Sequence, residues 1–117
     1  MKTIEVKVTT LELRKLTGKV IDEGKFADTL DLIETTLDNI PQGGFTPKDI
    51  RDRNRISMAI EKYREDKKDK EIPSGRNFKP PLKIEDSDYE NVRVIVNSSR
   101  WGSRDKILQE FLDSFKD

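Results

Sequence analysis

Hydrophobic and charged positions alternate at the start of the chain. Residues 3–8 carry aliphatic side chains at Ile4, Val6 and Val8, with a charged residue between each pair. A period of two predicts a short, half-buried strand. The segment 82–85 repeats this alternation, so it predicts a second strand that pairs with the first.

Apolar residues at helical spacing predict five helices, of which three precede residue 70. The first begins at an N-cap on Thr9, within a capping-box sequence, and ends near Gly24. The second spans about residues 25–39 and has a core stripe opposite three aspartates. The stripe is Phe26, Leu30, Ile33 and Leu37, and the aspartates are Asp28, Asp31 and Asp38. The third begins at Thr46-Pro47, continues to about residue 68, and turns Ile56, Ala59, Ile60 and Tyr63 inward.

The second half of the chain carries one ambiguous segment. Residues 71–81 contain three prolines and a glycine, which predict an exposed loop. In residues 87–97 the capping-box sequence at Ser87 indicates a helix, whereas the β-branched residues from Val92 onwards favour a strand. We predict a helix there. A turn carrying Trp101 follows, and the last helix has one apolar face, formed by Ile107, Leu108, Phe111, Leu112 and Phe115.

Together these elements predict a single α+β domain over residues 1–117. It is mainly helical, with about five helices and a short two-stranded antiparallel sheet. Charged residues make up 39% of the chain, which raises the alternative of disorder. However, Leu, Ile, Val and Phe together are 31 of the 117 residues and the net charge is zero, which favours a folded domain with a small core.

The residue types that are absent exclude several kinds of chemistry. The chain has no histidine and no cysteine, so it has no disulfide, no thiolate zinc site and no Ser-His or Cys-His nucleophile. No apolar run is long enough to cross a membrane, and Glu5 interrupts the position of a signal-peptide core. We therefore predict a cytoplasmic protein without a membrane partner.

Acidic clusters are the remaining route to catalysis. Residues 85–90 hold four carboxylates but lack the glycine and spacing of a calcium loop, and acidic residues are common in a first helical turn. The segment Glu65-Asp66-Lys67 contains the Glu-x-Lys fragment of metal nucleases but lies in a charged helix end. No glycine pattern forms a phosphate-binding loop. We predict no enzymatic activity, catalytic residue, metal or cofactor.

The third predicted helix has a basic side. At about 100° per residue, Arg51, Arg55 and Lys62 share a narrow arc close to Met58. Arg53 and Arg64 form a second row. Acidic residues interleave the same helix, so three interpretations stand: a salt-bridged solvated helix, a protein-binding face, or a nucleic-acid contact.

Two aromatic residues beside cations are further candidates for contact with a partner. Trp101 follows Arg100, and tryptophan and arginine commonly anchor protein interfaces. The alternative is that Trp101 fills the core between the last two helices. Phe78 lies between Arg76 and Lys79 in the proline-bounded segment, where it could dock on an acidic surface or stack on bases.

The two ends of the chain resemble small uncharacterised accessory proteins of bacteriophages and prophages. The resembling segments are Val6-x-Val8-x-x-Leu11-Glu12-Leu13-x-x-Leu16 and Trp101 followed by Ile107–Asp113. The resemblance implies a small protein that acts by binding, such as an inhibitor of a host enzyme or defence system.

We therefore predict a non-enzymatic protein-binding module that inhibits or regulates by steric occlusion. Its partner is a host or phage protein, and a homo-oligomer is possible. The predicted contact residues are Arg51, Arg55, Lys62, Phe78, Arg100 and Trp101. One alternative is a nucleic-acid accessory protein using Arg51, Arg55, Lys62, Arg76 and Lys79, and another is a phage structural or assembly protein.

Overall fold

Three strands and four helices are present in the computed structural model, which describes residues 1–12, 26–66, 78–101 and 106–115. The strands are β1 (Lys2–Glu12), β2 (Phe26–Asp28) and β3 (Phe78–Ile84). The helices are α1 (Thr29–Leu37), α2 (Pro47–Glu65), α3 (Asp86–Ser98) and α4 (Lys106–Asp113). The predicted α+β class is confirmed for these residues.

The sheet has the order β2-β1-β3, and both neighbours run antiparallel to β1. β3 pairs with the first half of β1, between Lys2 and Lys7, which confirms the predicted pairing of the segment at 82–85. β2 pairs with the second half, from Val8 onwards. The predicted two-stranded sheet was wrong because the three-residue β2 falls inside a stretch with helical spacing.

The predicted start of the first helix was wrong. β1 continues through Thr9 to Glu12, so the capping-box sequence there lies in a strand. The Thr9 hydroxyl donates a hydrogen bond to the Ala27 carbonyl and thereby joins β1 to β2 instead of capping a helix. The rest of this predicted helix, residues 13–24, lies outside the described residues.

Helix α1 begins four residues later than predicted. Asp28 is its N-cap: the Asp28 carboxylate accepts from the Asp31 backbone N–H, and the Asp31 carboxylate accepts from the Asp28 N–H. This reciprocal pair satisfies donors that the first turn leaves open. Leu30, Ile33 and Leu37 are buried as predicted, whereas Phe26 belongs to β2.

Helix α2 begins as the sequence predicts. The Thr46 hydroxyl accepts from the Asp49 N–H, the Asp49 carboxylate accepts from the Thr46 N–H, and Pro47 is the first helical residue. Buried side chains recur at Ile56, Ile60 and Tyr63, and Ala59 packs against them. The helix ends at Glu65.

The proline-rich segment was only partly predicted correctly, because residues 78–81 belong to β3 and not to a loop. Lys79 pairs with Val6 and Leu82 pairs with Ile4, so β3 uses one more residue than β1 at Pro80-Pro81. Proline is accommodated at such bulges and on edge strands, where its missing N–H breaks no ladder bond. Residues 71–77 lie outside the described residues.

Helix α3 resolves the ambiguous segment in favour of a helix. Val92 and Val96, four residues apart, are both buried, so the β-branched residues fill a helix face. The capping box expected at Ser87 was wrong, because Glu85 is the N-cap and makes no side-chain capping bond. On α4, Leu108, Phe111 and the following Phe115 are buried, which confirms the predicted apolar face.

One hydrophobic core joins these elements. Ile4 and Val6 of β1 and Leu82 and Ile84 of β3 are buried on the sheet face that the helices cover. The intervening residues of both strands are exposed. Within the described ranges, no helix is both long and apolar enough to cross a bilayer.

Candidate functional site

The residues predicted to share a basic arc are all exposed on one side of α2. We call this surface the α2 outer face and define it as Arg51, Arg55, Met58 and Lys62. Met58 is 66% exposed although methionine is apolar. The opposite side of the helix packs against the core through Ile56 and Ile60. The helix therefore presents an apolar side chain beside cations on a fixed support, with exposed Glu61 and Glu65 on the same side.

Arg55 belongs to this face and also holds two elements together. Its Nε donates to Asp88 Oδ1 at 2.7 Å, and its Nη2 lies 2.8 Å from Asp52 Oδ1. Asp88 is buried in the first turn of α3, whereas the Arg55 side chain remains 55% exposed. The hydrogen bond and charge of Asp88 raise the pKa of Arg55. Part of its positive charge is thus neutralised within the fold.

Arg53 faces inward and supports the end of α1. Its Nη1 donates to three backbone carbonyls, those of Thr36, Leu37 and Asn39, at 2.9–3.2 Å. Its guanidinium also lies 5.0 Å from the ring centre of Phe45. Carbonyls in the last turn of a helix lack partners within that helix. Arg53 therefore has a structural role that the sequence pattern did not indicate.

Arg64 meets a pair of carboxylates at the start of α1. Its Nη2 lies 3.3 Å from Asp28 Oδ1 and 3.0 Å from Asp31 Oδ1. Burial would lower the pKa of Arg64, but hydrogen bonding and charge from Asp28 and Asp31 outweigh it, so the pKa is raised. Burial and the nearby Asp28 raise the pKa of Asp31. Arg64, from the second predicted row of basic residues, thus pairs with two of the aspartates that were predicted opposite the core stripe of α1.

The apolar spacing predicted Asp28 on the polar side of a helix, yet Asp28 is only 2% exposed. The charge distribution along the sequence is the signal that could have indicated the ion pair between Arg64 and Asp28. Residues 21–44 hold six acidic residues and one lysine, whereas residues 45–84 hold twelve basic and seven acidic residues. Arg64 and Asp28 show that these blocks neutralise each other in part.

Trp101 is partly buried and packs against the core. Its ring meets that of Phe111 edge to face at 6.0 Å, and Phe111, Phe115 and Tyr89 continue a chain of aromatic contacts between α3 and α4. The Trp101 indole N–H has no hydrogen-bond partner among the described residues. Arg100 has an exposed side chain, and its carbonyl accepts from the Asn39 side chain at 3.0 Å.

The remaining predicted contact residues form no common site with the α2 outer face or with Trp101 in the part of the chain that the structure describes. Phe78 and Lys79 begin β3, so their expected place on a loop was wrong, and only their backbone is described. Arg76 lies outside the described residues.

The acidic segment at the start of α3 is already partnered by cations. Asp86 lies 3.3 Å from the amino terminus, Asp88 binds Arg55, and Glu90 binds Arg93. In the part of the chain that the structure describes, no group of three or more metal-ligating side chains is found. The acidic residues thus act as helix-start and ion-pair partners.

No protein-family model, curated protein or solved structure matches the chain.

Proposed function

We propose that this chain is a non-enzymatic protein-binding module whose α2 outer face contacts the partner. The observation that carries the proposal is Met58, which is 66% exposed between exposed Arg51 and Lys62. Methionine adapts its shape to irregular apolar surfaces, and arginine is enriched among the residues that dominate binding energy.

The support behind this face favours binding. Arg53 and Arg64 fix α2 against α1, and Arg55 fixes it against α3. A contact surface that is already ordered loses less conformational entropy when a partner binds. The α2 outer face is therefore suited to a complementary surface that combines an apolar pocket with acidic groups.

Charge favours a protein partner over a nucleic acid. Glu61 and Glu65 are exposed on the same side of α2 as Met58, and carboxylates there would repel a phosphate backbone. An acidic protein surface can instead place its charges opposite Arg51 and Lys62 and leave these glutamates at the rim.

We propose that binding inhibits or regulates the partner by covering a functional surface. The resemblance of the chain ends to phage accessory proteins supports a host enzyme or defence protein as the partner class. Arg100 and Trp101 stay predicted contacts of a second, smaller surface.

The test is quantitative capture from a bacterial lysate with three forms of the protein. Wild type is compared with Arg51→Glu/Met58→Glu and with Lys83→Glu. Lys83 is an exposed cation on the sheet, so its reversal matches the charge change at Arg51 away from the face. The captured protein is then purified and its affinity measured directly.

We expect wild type and Lys83→Glu to bind equally and the double variant to bind at least about tenfold more weakly. An activity assay of the purified partner then tests occlusion. Equal affinity of all three forms, or no enriched protein, would contradict the proposal. Salt-sensitive binding to DNA or RNA in a gel shift would favour the nucleic-acid alternative instead.

A further inference from the structure

The first half of β1 has an edge that no strand of the described residues covers. β3 occupies one side of Lys2–Lys7, and on the other side β2 begins to pair only at Val8. An uncovered strand edge presents backbone N–H and C=O groups that a further strand can use.

The backbone of Lys7 shows which groups face this edge. Its N–H donates to Thr29 Oγ1 at 2.9 Å, and its carbonyl accepts from the same hydroxyl at 3.3 Å. Lys7 thus directs its backbone away from β3. Because successive residues of a strand direct these groups to alternate sides, Thr3 and Glu5 do the same. Two N–H groups and two carbonyls therefore point to the uncovered edge.

This edge borders a groove of about 580 Å³ between β1 and α4. Ile107 and Phe111 of α4 form an apolar wall of the groove that Thr3 and Glu5 also line, and Thr29 lies at the Lys7 end. The volume lies within the range of sites that take small ligands or peptide side chains. The groove thus combines backbone groups that no described strand uses with an apolar wall.

We propose that this groove binds an extended peptide segment of a partner protein, which adds to β1 as a strand. Main-chain hydrogen bonds to Thr3 and Glu5 supply affinity, and alternate side chains of the peptide meet the wall of α4. The inward residues of the peptide are apolar because they face Ile107 and Phe111. A basic residue is favoured near Glu5 and Glu110, which both line the groove.

A second copy of the chain fits this edge less well than a peptide. The same β1 edge in another copy is bordered by its own α4, so pairing two such edges would bring both helices into the space of one strand. A single extended segment needs only the strand spacing of about 4.8 Å beside β1. The surface is separate from the α2 outer face, so either proposal can fail alone.

The experiment uses the full chain labelled with ¹⁵N and a blocked peptide of alternating valine and lysine residues. The control peptide has the same sequence with an N-methyl group on every residue, which removes the donors along both of its edges. Without peptide, the amides of Thr3 and Glu5 should exchange freely with solvent. Millimolar peptide should slow their exchange by about tenfold or more, and the N-methylated peptide should not.

Two variants of the protein test the proposed hydrogen bond between the Thr3 N–H and the peptide. Thr3→Pro removes one groove-facing N–H while leaving the ladder donors of Lys2 and Ile4, and Thr3→Ala keeps that N–H. We expect Thr3→Ala to bind the peptide as wild type does and Thr3→Pro to bind about tenfold more weakly. If Thr3→Pro does not fold, the N-methylated peptide gives the answer on wild type.

Three results would overturn the proposal. The first is strong exchange protection of Thr3 and Glu5 in the free protein, because the edge would then already be covered. The second is equal binding of the two peptides. The third is the absence of any effect at these two amides at millimolar peptide.

Discussion

Arg55 donates a 2.7 Å hydrogen bond from Nε to Oδ1 of Asp88, which links the exposed face of α2 to the buried first turn of α3. A residue predicted to contact a partner is thus also a support of the fold. Loss of binding in an Arg55 variant would therefore mix two effects, which is why Arg51 and Met58 are the better test of the α2 outer face.

Replacing Arg55 should weaken the fold more than replacing its neighbour on the same face. Arg55→Ala leaves the Asp88 carboxylate, whose side chain is 10% exposed, without its cation, so we expect Tm to fall by several degrees. Arg51 makes no hydrogen bond or ion pair within the described residues, so Arg51→Ala should leave Tm unchanged. Thermal unfolding followed by circular dichroism checks both, and equal Tm values would contradict this role of Arg55.

Asp28 should be one of the most sensitive polar positions in the chain. Asp28→Ala removes both the N-cap of α1 and the partner of Arg64, and we expect it to cost about 2–4 kcal/mol. Asp28→Asn keeps an oxygen for the cap and loses the charge, so its cost should be smaller. Urea unfolding at neutral pH measures both. Equal losses in the two variants would show that the cap contributes nothing.

Glu34 should make stability depend on pH in the opposite direction from an ion-paired carboxylate. Burial raises its pKa above the ordinary value of 4.5, so the folded chain binds this proton more readily than the unfolded chain. The stability that this proton contributes is complete below pH 4.5 and is lost as pH rises through the raised pKa.

Glu34→Gln should consequently be more stable than wild type at neutral pH, by a few degrees in Tm. The difference should vanish as the pH falls below 4.5, where Glu34 is protonated in both states. Tm measured across this range for wild type and variant checks the sign, with exposed Glu61→Gln as the comparison. A difference that grows on acidification would show that the assigned direction is wrong.

Trp101 should contribute to stability through its ring and not through its N–H. Trp101→Ala removes the contact with Phe111, and we expect a cost of about 2–4 kcal/mol because the side chain is only partly buried. Trp101→Phe keeps a ring there and removes an N–H that has no partner among the described residues, so it should cost about 1 kcal/mol or less. Urea unfolding followed by circular dichroism distinguishes them, and equal costs would contradict the prediction.

The apolar periodicities predicted most of the described helices because each helix buries one face, and this burial places apolar residues at helical spacing. Ile56, Ile60 and Tyr63 follow the spacing of a helix face, and the same side chains are buried. The strand from Phe78 was missed because Pro80 and Pro81 indicate a loop when the bulge that accommodates them is unknown. Likewise, the capping-box sequence at Thr9 lies in a strand. The Thr9 hydroxyl bonds the carbonyl of Ala27, which is distant in sequence, and so does not make the N-cap bond of a helix.

The candidate surfaces were predictable only where they depend on one helix. Arg51, Met58 and Lys62 share a face because helix geometry fixes their spacing, and the structure places them there. The structural tasks of Arg53 and Arg64 depend on how α2 lies against α1, which no local pattern encodes. The groove beside β1 depends on the shortness of β2 and the position of α4, so it too required the three-dimensional arrangement.

The prolines in β3 have a consequence for self-assembly. β3 is an edge strand of the described sheet, and two neighbouring residues in it, Pro80 and Pro81, have no N–H to offer an incoming strand. Growth of a filament by strand addition requires an open edge on both sides of each molecule. The missing N–H groups of Pro80 and Pro81 weaken the β3 edge as a template, so we expect them to disfavour stacking of this protein through both edges.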